Sequence, residues 1–225
     1  METLLDPHKI FPTHKKQALN ATQVPEIFKL HTANQDPYHI EIYTDGSVCE
    51  PTKTSSCSFF VPKHREEKAW LLQNFTNSFN AELYAIRQAL YYLNNWDIDS
   101  VTIFTDSKSA VQAISNFKWD SSPTILEIIK QIANLNSSGT RITLPWIPSH
   151  TGITGNETAD YLATNIRKSQ RSTKENTIKN KIDVKQNIST AKTNHKQITF
   201  TKLKSTSTNM AVINRQELWF PTMAQ

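Results

Sequence analysis

His39-Ile-Glu-Ile-Tyr-Thr-Asp45 and Val101-Thr-Ile-Phe-Thr-Asp106 are two versions of one pattern. In an extended chain successive side chains point to opposite faces, so Ile40, Ile42 and Thr44 share one face of the first stretch while Tyr43 and Asp45 share the other. Each stretch reads as a strand closing on an aspartate, with an aromatic residue two positions earlier, Tyr43 or Phe104, on the same face. If the strands are parallel neighbours, the aspartates emerge side by side at the carboxyl edge of the sheet, where open α/β sheets bind ligands. Aspartate is also a common strand terminator, so the pair gains meaning only from its surroundings.

Outward from these strands the pattern alternates. Ser56–Val61 and Lys68–Gln73 read as two more strands joined by a Pro-Lys-His-Arg turn, an antiparallel start. Leu83, Ile86, Leu90 and Leu93 recur at helical spacing within Asn80–Asn94. Ser107–Phe117 and Pro123–Leu135 read as helices, and Arg141–Ile147 as a strand whose Pro145 marks an edge or an end. A loop carrying Gly152 and Gly155 leads to a last helix, with Asn156 as N-cap and Glu157 in its first turn. Hairpin strands followed by strands alternating with helices predict an α/β fold, a mixed five-stranded sheet flanked by helices.

The flanks read differently. Residues 1–36 break into short apolar pieces edged by Pro7, Pro12, Pro25 and Pro37, which predicts an extended segment packed loosely on the domain, without chemistry. After Lys168 apolar periodicity fades. The expected organisation is therefore an N-terminal extension (1–37), a folded domain (38–168) and a basic, partly disordered tail (169–225). That tail holds ten Lys/Arg against three Asp/Glu, a surplus of +7, while residues 1–168 carry fifteen basic and seventeen acidic side chains, a net of −2. A slightly acidic body with a basic tail fits a polyanionic ligand and an active site of carboxylates, although a solvated linker has the same composition.

Cys49 and Cys57, the two cysteines of the chain, have no partner pair that could build a metal or disulfide framework, so packed or partly exposed thiols in a reducing setting are expected. No run approaches the roughly 18 apolar residues of a membrane span, and Glu2 and Asp6 spoil a signal-peptide pattern. The expectation is an intracellular protein without a membrane partner, in cytoplasm or nucleus.

Two further acids strengthen the aspartate pair. On its helix Glu82 is followed at three, four and seven residues by Ala85, Ile86 and Ala89, so the carboxylate lies on the stripe that faces the sheet. Asp160 repeats this with Ala163 and Thr164 one turn on. An unpaired buried charge is costly, and like charges about 4 Å apart repel by about 4 kcal/mol at an effective dielectric of 20. A divalent cation resolves both problems. All-oxygen ligands, with no cysteine or histidine pair at ligand spacing, favour Mg²⁺ or Mn²⁺ over zinc, and two such ions could activate a water and stabilise the leaving oxygen of a phosphodiester.

YTDGS (43–47), FNAELYAIRQAL (79–90), FTDSKSAVQAI (104–114) and WIPSHTGITGNETADYLA (146–163) resemble the type 1 ribonuclease H family, in its own motif order. They are most similar to the ribonuclease H domains of non-LTR retrotransposon polyproteins. The resemblance covers residues 38–166 and implies a ribonuclease H-like fold. It also implies endonucleolytic hydrolysis of the RNA strand of RNA/DNA hybrids, leaving a 3′-hydroxyl and a 5′-phosphate. By resemblance, Asp45, Glu82, Asp106 and Asp160 are the metal-binding tetrad for two Mg²⁺ ions, with Mn²⁺ as substitute. Asp45 then bridges both ions, Glu82 and Asp106 hold one and Asp160 the other. His150 matches the mobile-loop histidine that assists proton transfer or product release, and Gly46, Ser47 and Ser78 fall where substrate is bound. The implied partners are an RNA/DNA hybrid and a reverse transcriptase domain of a parent polyprotein, for a chain expected to be a monomer.

The chain also departs from the family pattern. Ser78 and Phe79 stand where many members carry asparagines that contact RNA 2′-hydroxyls, and no Lys-rich helix and loop lies between Phe117 and Lys130. The remaining histidines (His8, His14, His31, His39, His64 and His195) lack ligand spacing and are expected at the surface. Trp70, Trp96, Trp119 and Trp146 are expected to pack at element edges, with Trp119 beside Lys118 able to touch a DNA strand. Gly152 and Gly155 give the His150 loop its turns. Three other readings share these residues. A silent nucleic-acid-binding module would be marked by loss of a tetrad acid. An integrase-like nuclease acting on DNA is opposed by GNETAD (155–160). The third is a decaying fragment.

Overall fold

The stretch that opens at Ile40 forms an interior strand of the sheet, paired on both sides. The computed structural model describes residues 23–33, 36–169 and 176–179. The chain runs through α1 (Val24–Thr32), β1 (Ile40–Cys49), β2 (Thr54–Val61), a 3-10 turn at Pro62–His64 and β3 (Glu66–Leu72). It continues through α2 (Ser78–Leu93), β4 (Ser100–Thr105), α3 (Lys108–Ser115), α4 (Pro123–Ser137), β5 (Arg141–Thr143), α5 (Thr154–Ser169) and β6 (Thr177–Ile178). The order across the sheet is β5-β4-β1-β2-β3-β6. β1, β2 and β3 form an antiparallel meander, whereas β4 joins β1 and β5 joins β4 in parallel. The expected mixed sheet flanked by helices is present.

The two faces of β1 feed two cores. Ile40 and Ile42, with Phe59 and Val61 of β2 and Val101 and Ile103 of β4, pack against Leu83, Ile86, Leu90 and Leu93 of α2 and the apolar stripes of α3 and α4. Deleting one such side chain to alanine costs about 2 to 5 kcal/mol. Tyr43 and Phe104, on the opposite face, pack with Ile147, Ile153, Ala159 of α5 and Val24 and Phe28 of α1. The serines of β2 anchor α5: Ser56 Oγ donates to the Ala163 carbonyl (2.7 Å) and Ser58 Oγ to that of Ala159 (2.6 Å). No described helix is long and apolar enough to cross a membrane.

Several expectations change. Residues 24–32, read as extended, form a helix whose Val24 and Phe28 are buried. Its apolar residues Val24, Ile27 and Phe28 have helical spacing, and Pro25 sits in the first turn, where its missing N–H costs nothing. The Arg141–Ile147 strand is cut to three residues by Pro145, after which Trp146 makes an isolated parallel bridge to Thr105. A sixth strand, Thr177–Ile178, adds to β3 inside the stretch expected to be tail, with Ile178 packed on the Cys57 cluster. The rest of residues 1–22 and 180–225 lies outside the described residues, including His8, His14, His195 and most of the basic tail.

His39 and His64 are not surface side chains. His39 is half-buried between Ser100 Oγ (2.8 Å) and Thr102 Oγ1 (3.0 Å), and burial holds its pKa down at about 4, so it is neutral at physiological pH. His64 bonds Tyr92 (2.7 Å) and stacks on Trp96. Trp70 and Trp146 pack on the core as expected, but Trp119 is 56% exposed. Cys57 is buried and Cys49 half-buried, both free.

Candidate active site

Parallel pairing sets the first two acids. Tyr43 lies beside Phe104 and Thr44 beside Thr105 in the register of β1 and β4, and Thr44 Oγ1 donates to the Phe104 carbonyl (3.1 Å). Asp45 and Asp106 therefore leave adjacent strands at the same edge. The stacked Tyr43 and Phe104 rings, 5.0 Å apart, fix both strand ends from one side. Asp106 is held further by its backbone, whose carbonyl accepts from Trp146 Nε1 at 2.9 Å.

Glu82 arrives from α2, whose start is capped by the Asn77 side chain accepting from the Asn80 N–H (2.9 Å). The helix reaches the sheet edge through Gly46. A Cβ there would lie 2.4 Å from the Glu82 nitrogen, so only glycine permits the approach. Glu82 is buried, as its apolar stripe required.

Asp45, Glu82 and Asp106 bring their ligand oxygens within 4.8 Å of one another. Burial is the main cause lifting Asp45 above the ordinary carboxylate range, with the charges of Asp106 and Asp160 adding to it and the Gly46 backbone opposing. Glu82 is lifted by burial, then by Asp45 and Asp106. Asp106 is also raised by burial, while a hydrogen bond from Asn156 pulls the other way. Asp160, half-buried on α5, falls in a second group with His150 and Glu157, whose ligand atoms also lie within 4.8 Å. Thr164 Oγ1 donates to Asp160 at 3.5 Å.

The arrangement fits a hard cation. Asp45 Oδ2 and Glu82 Oε2 are buried without a hydrogen-bond partner. Buried polar atoms are normally satisfied, and an orphaned carboxylate oxygen beside two more carboxylates is what a divalent ion relieves. Oxygen-only donors suit magnesium or manganese.

A family model for RNase H matches residues 37–168, more than half of the chain and every element from β1 to α5. The chain belongs to the ribonuclease H family. It is on that ground an enzyme, a hydrolase acting on RNA–DNA hybrids.

Within this ribonuclease H the other sequence-derived candidates are distributed as follows. Gly46 serves as the close-approach point described above. Ser47 Oγ meets Thr164 Oγ1 (3.3 Å) and accepts from Arg167 Nε (3.0 Å), linking β1 to the end of α5. Ser78 is exposed at the start of α2, one turn before Glu82. His150 stands in a left-handed backbone conformation (φ 52°) with its side chain 73% exposed and Nδ1 4.0 Å from Glu157 Oε2.

Asn156 corrects the sequence reading. α5 begins two residues earlier, so Asn156 lies inside the first turn and is not the cap. It is 2% exposed, and its Nδ2 donates to Asp106 Oδ2 at 3.2 Å. Glu157 does occupy the first turn, and there its Oε1 accepts the Gly152 N–H (3.2 Å). Neither contact has a sequence signal beyond position in the motif, because both depend on how the loop folds back over β4.

Proposed function

We propose that this ribonuclease H is an endonuclease that hydrolyses the RNA strand of RNA–DNA hybrids with two divalent ions, Mg²⁺ or Mn²⁺, held by Asp45, Glu82, Asp106 and Asp160. The observation that carries it is the close group of Asp45, Glu82 and Asp106 with two buried, unpartnered oxygens. Bound there, the ions would supply a nucleophilic hydroxide and stabilise the leaving oxygen of an in-line displacement. The chain's own residues do the rest. Asn156 and Trp146 hold Asp106 by side chain and backbone. His150, exposed beside the acids, exchanges protons with the departing group or eases its release. Gly46, Ser47 and Ser78 border the RNA strand, where the 2′-hydroxyl tells RNA from DNA.

The proposal extends to organisation. Residues 38–168 form the catalytic domain, and the basic stretch 169–225 grips the hybrid through phosphates without contributing a catalytic group. The likeness to non-LTR retrotransposon domains suggests an origin beside a reverse transcriptase, with the present chain acting as an intracellular monomer. The test is cleavage of a labelled hybrid by Asp45→Asn and Asp106→Asn variants. Substantial Mg²⁺-dependent turnover by either would remove these acids from the site.

A further inference from the structure

α1 lies upstream of the family-matched residues 37–168 and touches the active-site region at two places. Phe28 is buried with its ring edge-on to Phe104 (5.0 Å) and Tyr43 (6.3 Å), the aromatics two residues before Asp106 and Asp45. Val24 shares that cluster with Ile147 and Ile153, which stand at the two ends of the segment carrying His150. Pro25 packs over the same segment, since a Cβ on Gly152 would lie 3.2 Å from Pro25 Cγ.

The His150 segment has few other restraints. Between Ile147 and Ile153 it contains two left-handed residues, His150 (φ 52°) and Gly152 (φ 81°). Thr151 Oγ1 bonds the Pro148 carbonyl within the segment (3.0 Å), and the segment's polar ties outward run to Glu157, from the Gly152 N–H (3.2 Å) and from His150 Nδ1 (4.0 Å). A non-glycine residue at positive φ is held only when its surroundings over-determine it. The buried Phe28 side chain and Pro25 therefore add apolar packing to a loop whose outward polar ties, among the described residues, run to Glu157.

We infer that α1 is a positioning element for the His150 loop, with Pro25 and Phe28 as the residues through which the chain preceding the catalytic domain fixes the loop against the sheet edge. The inference rests on the proposed role of His150 only for its effect on turnover; the mechanical coupling stands apart from it.

The experiment uses the full chain with Phe28→Ala and, separately, Pro25→Ala, which leaves the core filled. Hydrogen exchange is followed in peptides covering 146–157 and, for comparison, 83–93 of α2, and hybrid cleavage is measured with and without His150→Ala in each background. Loop exchange should become at least about tenfold faster in Phe28→Ala and a few-fold faster in Pro25→Ala, with α2 unchanged. kcat should fall while KM stays near the parent value, and His150→Ala should cost less in the Phe28→Ala background than in the parent. Phe28→Leu should restore most of the loop protection. Loop exchange no faster than in the parent in both variants, or a uniform rise in loop and helix alike, would overturn the inference. Faster loop exchange combined with a His150→Ala parent of unchanged turnover upholds the positioning by α1 and rejects the catalytic role of His150.

Discussion

Asp45→Asn should make the metal-free protein more stable while destroying its activity. The ligand oxygens of Asp45, Glu82 and Asp106 lie within 4.8 Å of one another. At that separation and an effective dielectric of 20, two full charges repel by about 3.5 kcal/mol. Asp45 faces two such neighbours. Burial already drives Asp45 and Glu82 toward their protonated forms, so part of this repulsion is relieved at neutral pH, and about 1 to 3 kcal/mol is expected to return on neutralising Asp45. For a body of this size 1 kcal/mol shifts Tm by about 2 to 4 °C, which gives an expected rise of about 2 to 12 °C in chelator. The pH dependence has a definite sign. An acid whose folded pKa is raised loses stability as pH climbs from the ordinary carboxylate value near 4 through the folded value. Metal-free parent protein should therefore melt lower as pH rises over that window, and Asp45→Asn should flatten the curve. Added Mg²⁺ should raise the parent Tm by mass action and leave the variant nearly unmoved. Calorimetry in EDTA and in Mg²⁺ at several pH values makes the comparison. An equal or lower Tm for Asp45→Asn in EDTA at every pH would show that Asp45 does not repel its neighbouring carboxylates in the metal-free protein.

Other expectations follow from single contacts. His150→Ala should slow hybrid turnover by about 10²- to 10⁴-fold without abolishing it, as expected for a proton-transfer group beside acids that remain intact; unchanged kcat would return His150 to a solvated loop. Asn156→Ala, which leaves Asp106 Oδ2 without its 3.2 Å donor, should lower kcat and cost about 1 to 3 kcal/mol of stability, read by kinetics and denaturant unfolding together. Charge reversal at Lys179, Lys181 and Lys185 should flatten the salt dependence of hybrid affinity by about 2 to 3 in log–log slope, at roughly 0.7 to 0.9 per phosphate lost; an unaltered slope would make these lysines a linker.

The strands that carry the acids were legible because alternation is strict there. Ile40 and Ile42 cannot share a face with Tyr43 and Asp45, and the parallel register then follows from the repeated pattern at Ile103–Asp106. Glu82 was legible for the opposite reason, a charge on an otherwise apolar helical stripe. α1 was missed because Pro12, Pro25 and Pro37 outweighed a nine-residue helix whose apolar spacing spans barely two turns. β6 has two residues, too few for any period. Asn156 suits an N-cap by residue type, but the helix starts at Thr154, and local propensity does not reveal that the asparagine side chain turns inward to Asp106 instead. The pairing of Asp160 with His150 and Glu157 depends on the fold-back of the His150 loop, which local propensity does not encode.

Hybrid-specific, metal-dependent cleavage is measured by offering the purified full-length chain three labelled duplexes, RNA–DNA hybrid, double-stranded RNA and double-stranded DNA, each in Mg²⁺ and in EDTA. The hybrid alone should be cleaved, within its RNA strand, only in Mg²⁺, with 5′-phosphate products. Cleavage that persists in EDTA, or a double-stranded DNA cut while the hybrid survives, would contradict this expectation.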